Sequence, residues 1–237
     1  MDNFTWTVEQ IRAAEAPLVA KERYPDELMQ SAAQSVAEAA HMMLARLSRP
    51  AGGTIGGAAA PAPGHVLVLA GPGGNGGDGL YAGAELARDG HRVDAYLTAG
   101  TAHRPALKAF TAAGGRVVDE PEAAWSYQLA IDAITGIGGR AGLDEDLREL
   151  VEDLAFPSLQ VLAVDLPSGI EADTGAGGDL HVTADVTLTF GGWRRAHALN
   201  PACGEQLLAD ASAAGLSLTE QFRSMSDNGE LGGTLMV

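Results

Sequence analysis

Residues 65–79, HVLVLAGPGGNGGDG, set an apolar strand directly against a turn crowded with glycine. Glycines at 71, 73, 74, 76, 77 and 79 let the main chain turn tightly and bring bare N–H groups close to a ligand. The next run, LYAGAELARDG, has helical spacing and stops at Gly90, so the turn opens a helix whose N-terminal dipole favours an anion. A glycine-rich turn alone is equally a plain connector. A readable strand before it and a readable helix after it are the context that an oxyanion- or phosphate-binding loop requires.

From His65 onward strands and helices alternate. Strands are expected at 66–70, 92–98, 116–118, 129–132, 160–165, 184–190 and 206–209, with helices near 77–89 and at 106–113 and 143–154. This alternation predicts an α/β fold: a doubly wound, mostly parallel sheet in three αβα layers, Rossmann-like. Two helices precede it. Thr7 with Gln10 three residues on forms a capping box, and a second helix runs over 25–47 with Ala32, Ala33, Ala37 and Ala40 suited to close packing. Residues 48–64, SRPAGGTIGGAAAPAPG, carry too little apolar surface to order themselves and are expected to be a disordered insert. Residues 219–237 show no sustained period and are expected to be a disordered tail, leaving one domain over 1–218.

A chain of 237 residues suits one α/β domain with a sizeable core. Its formal net charge of −16 argues against a nucleic-acid or anionic-membrane surface, so an anionic ligand would rely on dipoles, backbone amides or a bound cation. Cys203 is the sole cysteine, which excludes an intrachain disulfide and a CxxC metal site. With no basic, apolar leader and no stretch of membrane-span length, a cytoplasmic protein is expected.

Ligands of doubly wound sheets bind outside the carboxyl ends of the strands, at the topological switch. Three segments point there: the glycine turn with Asn75 and Asp78, the stretch DAITGIGGRAG from Asp132 to Gly142, and VDLPSGIEADTG from Val164 to Gly175. Any one strand-end carboxylate caps a turn. Two of them, Asp132 and Asp165, beside two glycine loops point to a functional cleft.

In this order GPGGNGGDGL, DAITGIGGRAG, VDLPSGIEADTG and ADVTLTFGGWRRAHAL resemble the motifs of the NAD(P)H-hydrate epimerase family, over about residues 5–216. The resemblance implies the fold already inferred and, as substrate, NADH or NADPH hydrated at C6 of the nicotinamide ring, whose R and S forms such enzymes interconvert. A partner dehydratase repairs the S form. It implies dinucleotide contacts from Gly74, Asn75, Gly76, Gly77 and Asp78, and a phosphate cradle from Gly136, Ile137, Gly138, Gly139, Arg140, Ala141 and Gly142. Asp165 would face the hydrated ring, and one potassium ion (K+) per subunit would bind at Asn75, Asp132 and Ser168. The residues suit this: amide, carboxylate and hydroxyl oxygens are hard donors, poor for zinc. Family members often dimerise through the N-terminal helices, which implies a possible homodimer.

Epimerisation at C6 needs an acid/base group near that carbon, and Asp165 is the first candidate, its other reading being a cap for the Pro167–Gly169 turn. Arg140 is open to two readings, a bidentate diphosphate clamp or a surface arginine. Two positions depart from the family pattern. Gly74-Asn75 replaces a paired asparagine, and Arg194-Arg195-Ala196 replaces Lys-x-Gly, keeping a positive charge. His197 reads as a structural or rim histidine. The competing reading is a non-catalytic nucleotide-binding or adaptor module of the same fold. An NAD-dependent dehydrogenase ranks third, because Asp94 lies inside its strand and no catalytic His or Tyr-Lys pair is apparent.

Overall fold

The computed structural model describes residues 4–47, 63–227 and 234–235. The chain opens with β1 (Phe4–Trp6), α1 (Val8–Val19) and α2 (Glu27–Leu47). The first half of the wound sheet is β2 (His65–Ala70), α3 (Gly74–Arg88), β3 (Arg92–Leu97), α4 (Arg104–Ala112) and β4 (Arg116–Val118). Next come β5 (Leu129–Ala133), α5 (Arg148–Leu154), β6 (Gln160–Val164) and β7 (Val186–Phe190). The remainder is β8 (Trp193–Arg194), α6 (Arg195–Leu199), β9 (Glu205–Ala209), β10 (Ser212–Ala213), β11 (Leu216–Ser217), α7 (Leu218–Asp227) and β12 (Thr234–Leu235). The large sheet has the order β4-β3-β2-β5-β6-β7-β9, with every pairing parallel. Its order reverses between β2 and β5, which makes that gap the switch point.

The sheet is apolar on both faces because its strands are covered on both. Along β2 the side chains alternate with a period of two. Val66, Val68 and Ala70 join the core beneath α1, α2, α3 and α4, while Leu67 and Leu69 join Val161, Ala163, Leu147 and Leu154 on the face covered by α5. The expected doubly wound, three-layer sheet with two leading helices is present. Thr7 caps α1 as the sequence predicts: its N–H donates to Gln10 Oε1 at 2.8 Å and its Oγ1 accepts from the Gln10 N–H at 3.4 Å.

The structure differs from the sequence reading in several places: the strand expected over 184–190 starts at Val186, and α6 and the short strands β1, β8, β10, β11 and β12 are additional. Helix α3 starts at Gly74, not near 77, so GNGGDG is its first turn and a half. Glycine is a poor helix former, but a methyl on Gly79 would lie 2.5 Å from the Ala133 Cβ, so these positions trade propensity for close approach to the sheet. The helix expected over 143–154 is a 3₁₀ turn at Glu145–Leu147 followed by α5. Strand β6 stops at Val164, because Asp165 turns the chain at φ +68. Finally, residues 218–227 form α7 instead of a tail. Leu218 and Phe222 are buried, and the Phe222 ring packs on Trp6 at 4.8 Å between centroids. Of the expected insert and tail, residues 48–62, 228–233 and 236–237 lie outside the described residues. Among the described residues no helix is long and apolar enough to cross a membrane.

At the amino edge of the sheet Asp94 is fully buried on β3. Arg116 donates to both its oxygens at 2.8 Å, the Tyr127 hydroxyl donates at 3.1 Å, and His65 Nε2 lies 2.9 Å away. These bonds outweigh burial and hold its carboxyl down at about 2.

Candidate active site

The carboxyl ends of β2, β5 and β6 meet α1 and the start of α2 around a cleft of about 590 Å³, a size suited to a small molecule. On the β2 side the cleft is lined by Gly73, Gly74, Asn75 and Asp78, and on the β5 side by Thr135, Gly136, Ile137, Gly138 and Gly139. Gly73 is the N-cap of α3 and offers no side chain to the first helical amides, so these amides and the positive end of the dipole are left for an anionic ligand. A methyl on Gly136 would sit 2.9 Å from Asn75 Oδ1 and 3.2 Å from Asp165 Oδ2. The two polar groups therefore converge on one glycine, and any larger residue there would fill the space between them.

Asp165 stands at the end of β6 in a backbone conformation that costs a non-glycine residue strain. Its surroundings over-determine that conformation. The backbone N–H donates to Leu188 O at 2.7 Å, and the carbonyl accepts from His197 Nε2 at 2.9 Å. The side chain is held as firmly. Oδ2 accepts from the Ile137 N–H at 3.0 Å, while Oδ1 accepts from Thr189 Oγ1 at 2.9 Å and meets Arg194 Nη2 at 2.7 Å. Arg194 is itself buried, and its Nη1 donates to the carbonyls of Phe190 and Gly192 at 3.1 and 2.6 Å. His197 Nδ1 accepts from the Arg194 N–H at 2.9 Å. Burial, then the Arg194 charge, push its imidazole down to about 4, so at neutral pH it is an uncharged brace for Asp165 and Arg194.

Charge in the cleft is lopsided. Glu15, Glu22, Asp26, Asp78 and Asp165 line it, and among the described residues Arg194 is the one arginine or lysine that does. Burial, with Asp165, Glu15 and Asp26 nearby, pushes Asp78 well above the ordinary carboxylate range. Glu15 is raised by burial and by Asp165, against the opposing charges of Arg194 and Arg12.

Asp132 and Ser168 do not line the cleft. Both are fully buried behind it. Asp132 Oδ2 accepts from the Ser168 N–H at 2.7 Å, and Oδ1 accepts from Ser168 Oγ at 2.6 Å and from the Ile134 N–H at 3.3 Å. Ser168 Oγ also accepts from the N–H of the lining residue Thr135 at 2.9 Å. Without a cationic partner, burial lifts Asp132 to about 6 in spite of those bonds. Asn75 Nδ2 is buried with no hydrogen-bond partner among the described residues. Among them there is also no group of three or more His, Cys, Asp or Glu that could hold a metal ion. An amide, one uncompensated carboxylate and a hydroxyl suit a hard, singly charged cation, and this donor set offers nothing for a thiophilic or imidazole-seeking metal.

Of the residues singled out in the sequence, Gly74, Asn75, Asp78, Gly136, Ile137, Gly138, Gly139 and Asp165 share the cleft. Gly76 and Gly77 are buried in α3 behind it. Arg140, Ala141 and Gly142 are not part of its lining. The Arg140 side chain is 74% exposed and pairs with Asp144, while the Gly142 N–H is tied to Gly169 O at 2.8 Å. Of the two readings of Arg140, its placement outside the lining favours the surface arginine. Sequence reasoning missed Glu15 and Asp26 on the cleft wall and the pairing of Arg194 with Asp165. The RRAH stretch signalled a retained positive charge, but nothing in it named the partner.

Residues 25–196 match the family described as YjeF-related protein N-terminus. A bifunctional NAD(P)H-hydrate repair enzyme of Corynebacterium glutamicum is 44% identical over 232 residues, covering 89% of this chain and 39% of that protein. An NAD(P)H-hydrate epimerase of Microbacterium testaceum is 42% identical over 193 residues, covering 78% of this chain and 68% of that protein. A bifunctional repair enzyme of Mycobacterium tuberculosis is 40% identical over 208 residues, and this chain covers 41% of it. The chain thus spans roughly two fifths of the bifunctional relatives it matches. Among solved structures, the yeast protein ynu0 superposes with a TM-score of 0.67 at 20% identity, covering 86% of this chain and 87% of that one, a likeness of fold.

Proposed function

Because the chain belongs to the YjeF-related N-terminal family, whose relatives include named NAD(P)H-hydrate epimerases, we propose that it interconverts the R and S epimers of hydrated NADH or NADPH. The observation that carries this reading is Asp165, strained at φ +68, paired with buried Arg194 and facing the cleft at the switch point. In this proposal the dinucleotide diphosphate lies against the uncapped amides of α3 and the backbone of Gly136–Gly139. The hydrated ring lies over Asp165. The Arg194 guanidinium pairs with the Asp165 carboxyl at 2.7 Å, and the His197 brace on its carbonyl fixes its direction. Asp165 then moves the proton that accompanies breaking and remaking of a bond at C6.

Potassium is part of the proposal. Asn75, Asp132 and Ser168 would hold it, and it would neutralise Asp132 and offset diphosphate charge in an acidic cleft. The bifunctional names of two relatives support a dehydratase as functional partner. A cytoplasmic site of action fits a single, buried cysteine, Cys203. A homodimer through the N-terminal helices fits Val19 and Met42 left exposed on them, and Tyr24 exposed between them.

The test mixes R-form hydrated NADH with the protein and an S-specific dehydratase and follows NADH absorbance above the spontaneous rate. The expected result is acceleration, reduced in Asp165→Asn by about 10²–10⁴-fold in kcat with the fold intact. Binding without acceleration would leave a nucleotide-binding module and contradict the epimerase.

A further inference from the structure

Of the five acidic residues that line the cleft, Asp165 and Asp78 are treated in opposite ways. Asp165 has a guanidinium, an amide and a hydroxyl on its side chain. Asp78, one turn into α3, lines the same cleft and has no hydrogen-bond or ion-pair partner among the described residues. What faces it is negative: Asp165 from the end of β6, Glu15 from α1 and Asp26 ahead of α2. The cations nearby are committed elsewhere. Arg194 is spent on Asp165, and Arg12 acts on Glu15. His103, at the N-cap of α4, lies 3.6 Å from Asp26, whose Oδ2 also accepts from the Tyr81 hydroxyl at 2.9 Å.

Resting on the epimerase reading, we propose that Asp78 is a second catalytic residue, the acid that protonates the C6 hydroxyl while the Asp165 carboxylate serves as base. Its surroundings agree, since burial and three neighbouring acids favour the neutral carboxyl. A partnerless carboxyl among acids, beside a carboxyl paired with a guanidinium, is the environment-driven division of labour that acid/base pairs need.

The steps balance. The C6–O bond breaks and its electron pair leaves with oxygen, which takes the Asp78 proton and departs as water. The ring N1 lone pair forms a C6=N1 iminium. Water then attacks C6 from the other face with an oxygen lone pair, the C6=N1 electrons return to nitrogen, and the proton released goes to Asp165. The product leaves Asp165 protonated and Asp78 ionised, the state that runs the reverse reaction, and proton exchange with solvent restores the first.

The experiment is the coupled epimerisation assay on wild type, Asp78→Asn and Asp78→Glu, each across pH. The wild-type kcat should fall as pH rises through the Asp78 titration, because the protonated form is the active one. Asp78→Asn should lose about 10²–10⁴-fold in kcat, with KM within about threefold, and should lose that alkaline limb. Asp78→Glu should recover part of the rate. An Asp78→Asn enzyme that keeps a third of wild-type kcat, or keeps the alkaline limb, overturns the proposal while the epimerase reading stands. A wild type with no alkaline limb overturns it without any variant having to fold. A wild type that does not accelerate epimerisation overturns both.

Discussion

Asp94 and Asp78 are both carboxylates drawn in from water, at opposite ends of the same sheet, and they meet opposite fates. Asp94, at the amino edge, is enclosed by Arg116, Tyr127 and His65 and is held down at about 2. Asp78, at the carboxyl edge, has carboxylates for neighbours and is pushed up. Asp132 is the intermediate case, bonded by Ser168 and Ile134 but lacking a cation, and it sits at about 6. Where the chain needs only stability it satisfies its buried charge. At the switch point it leaves Asp78 and Asp132 without a cationic partner, at a cost to stability, and such groups are what a ligand, a cation or a proton in transit can act on.

Breaking the satisfied end gives the largest effect on folding. Asp94→Ala removes the buried acceptor shared by Arg116, Tyr127 and His65 and should cost about 2–3 kcal/mol by denaturant titration, while kcat stays unchanged. Its pH dependence has a definite sign. The folded-state value is lowered, so the stabilisation is present above the ordinary carboxylate value, about 4, and is lost as pH falls from there towards about 2. The Asp94→Ala stability curve should be flatter over that window.

At the unsatisfied end the sign reverses. Asp132 is raised, so its contribution is present in acid and lost as pH rises through about 6. A cation that compensates it therefore helps only above that pH. At pH 8, saturating potassium chloride in place of choline chloride should raise Tm by about 2–4 °C. The gain should vanish at pH 4.5 and in Asp132→Asn. An equal gain in the variant would remove Asp132 from the cation site. The smallest expected effect belongs to Arg140, whose exposed pair with Asp144 lies off the cleft. Arg140→Ala should change KM by less than about twofold, as expected of a surface ion pair, and a tenfold rise would return it to the ligand.

The parts of this molecule that could be read from sequence are those whose signal is local. The strand at 65–70, the glycine turn and the strand-end aspartates are each written in a few consecutive residues, and together they located the switch point. The true start of α3 was hidden because its glycines serve contact with Ala133 and Val68, a tertiary reason that overrides propensity. Leu218, Phe222 and Met225 do recur with helical spacing, but the glycine-rich run after them masked α7. Glu15, Asp26 and Arg194 could not be placed, since each acquires meaning from a partner brought close only by folding. The sequence shows only that Asp94 lies inside its strand, and its role depends on Arg116 and Tyr127 arriving from other segments.

The most direct test of the contrast between the two ends is a carbon-13 NMR titration of the aspartate carboxyls, assigned through Asp94→Asn and Asp78→Asn. Asp94 should titrate near 2 and Asp78 well above the ordinary range. If both titrate together near the ordinary value of about 4, the two ends of the sheet do not treat charge differently, and the case for a cleft primed for proton transfer fails.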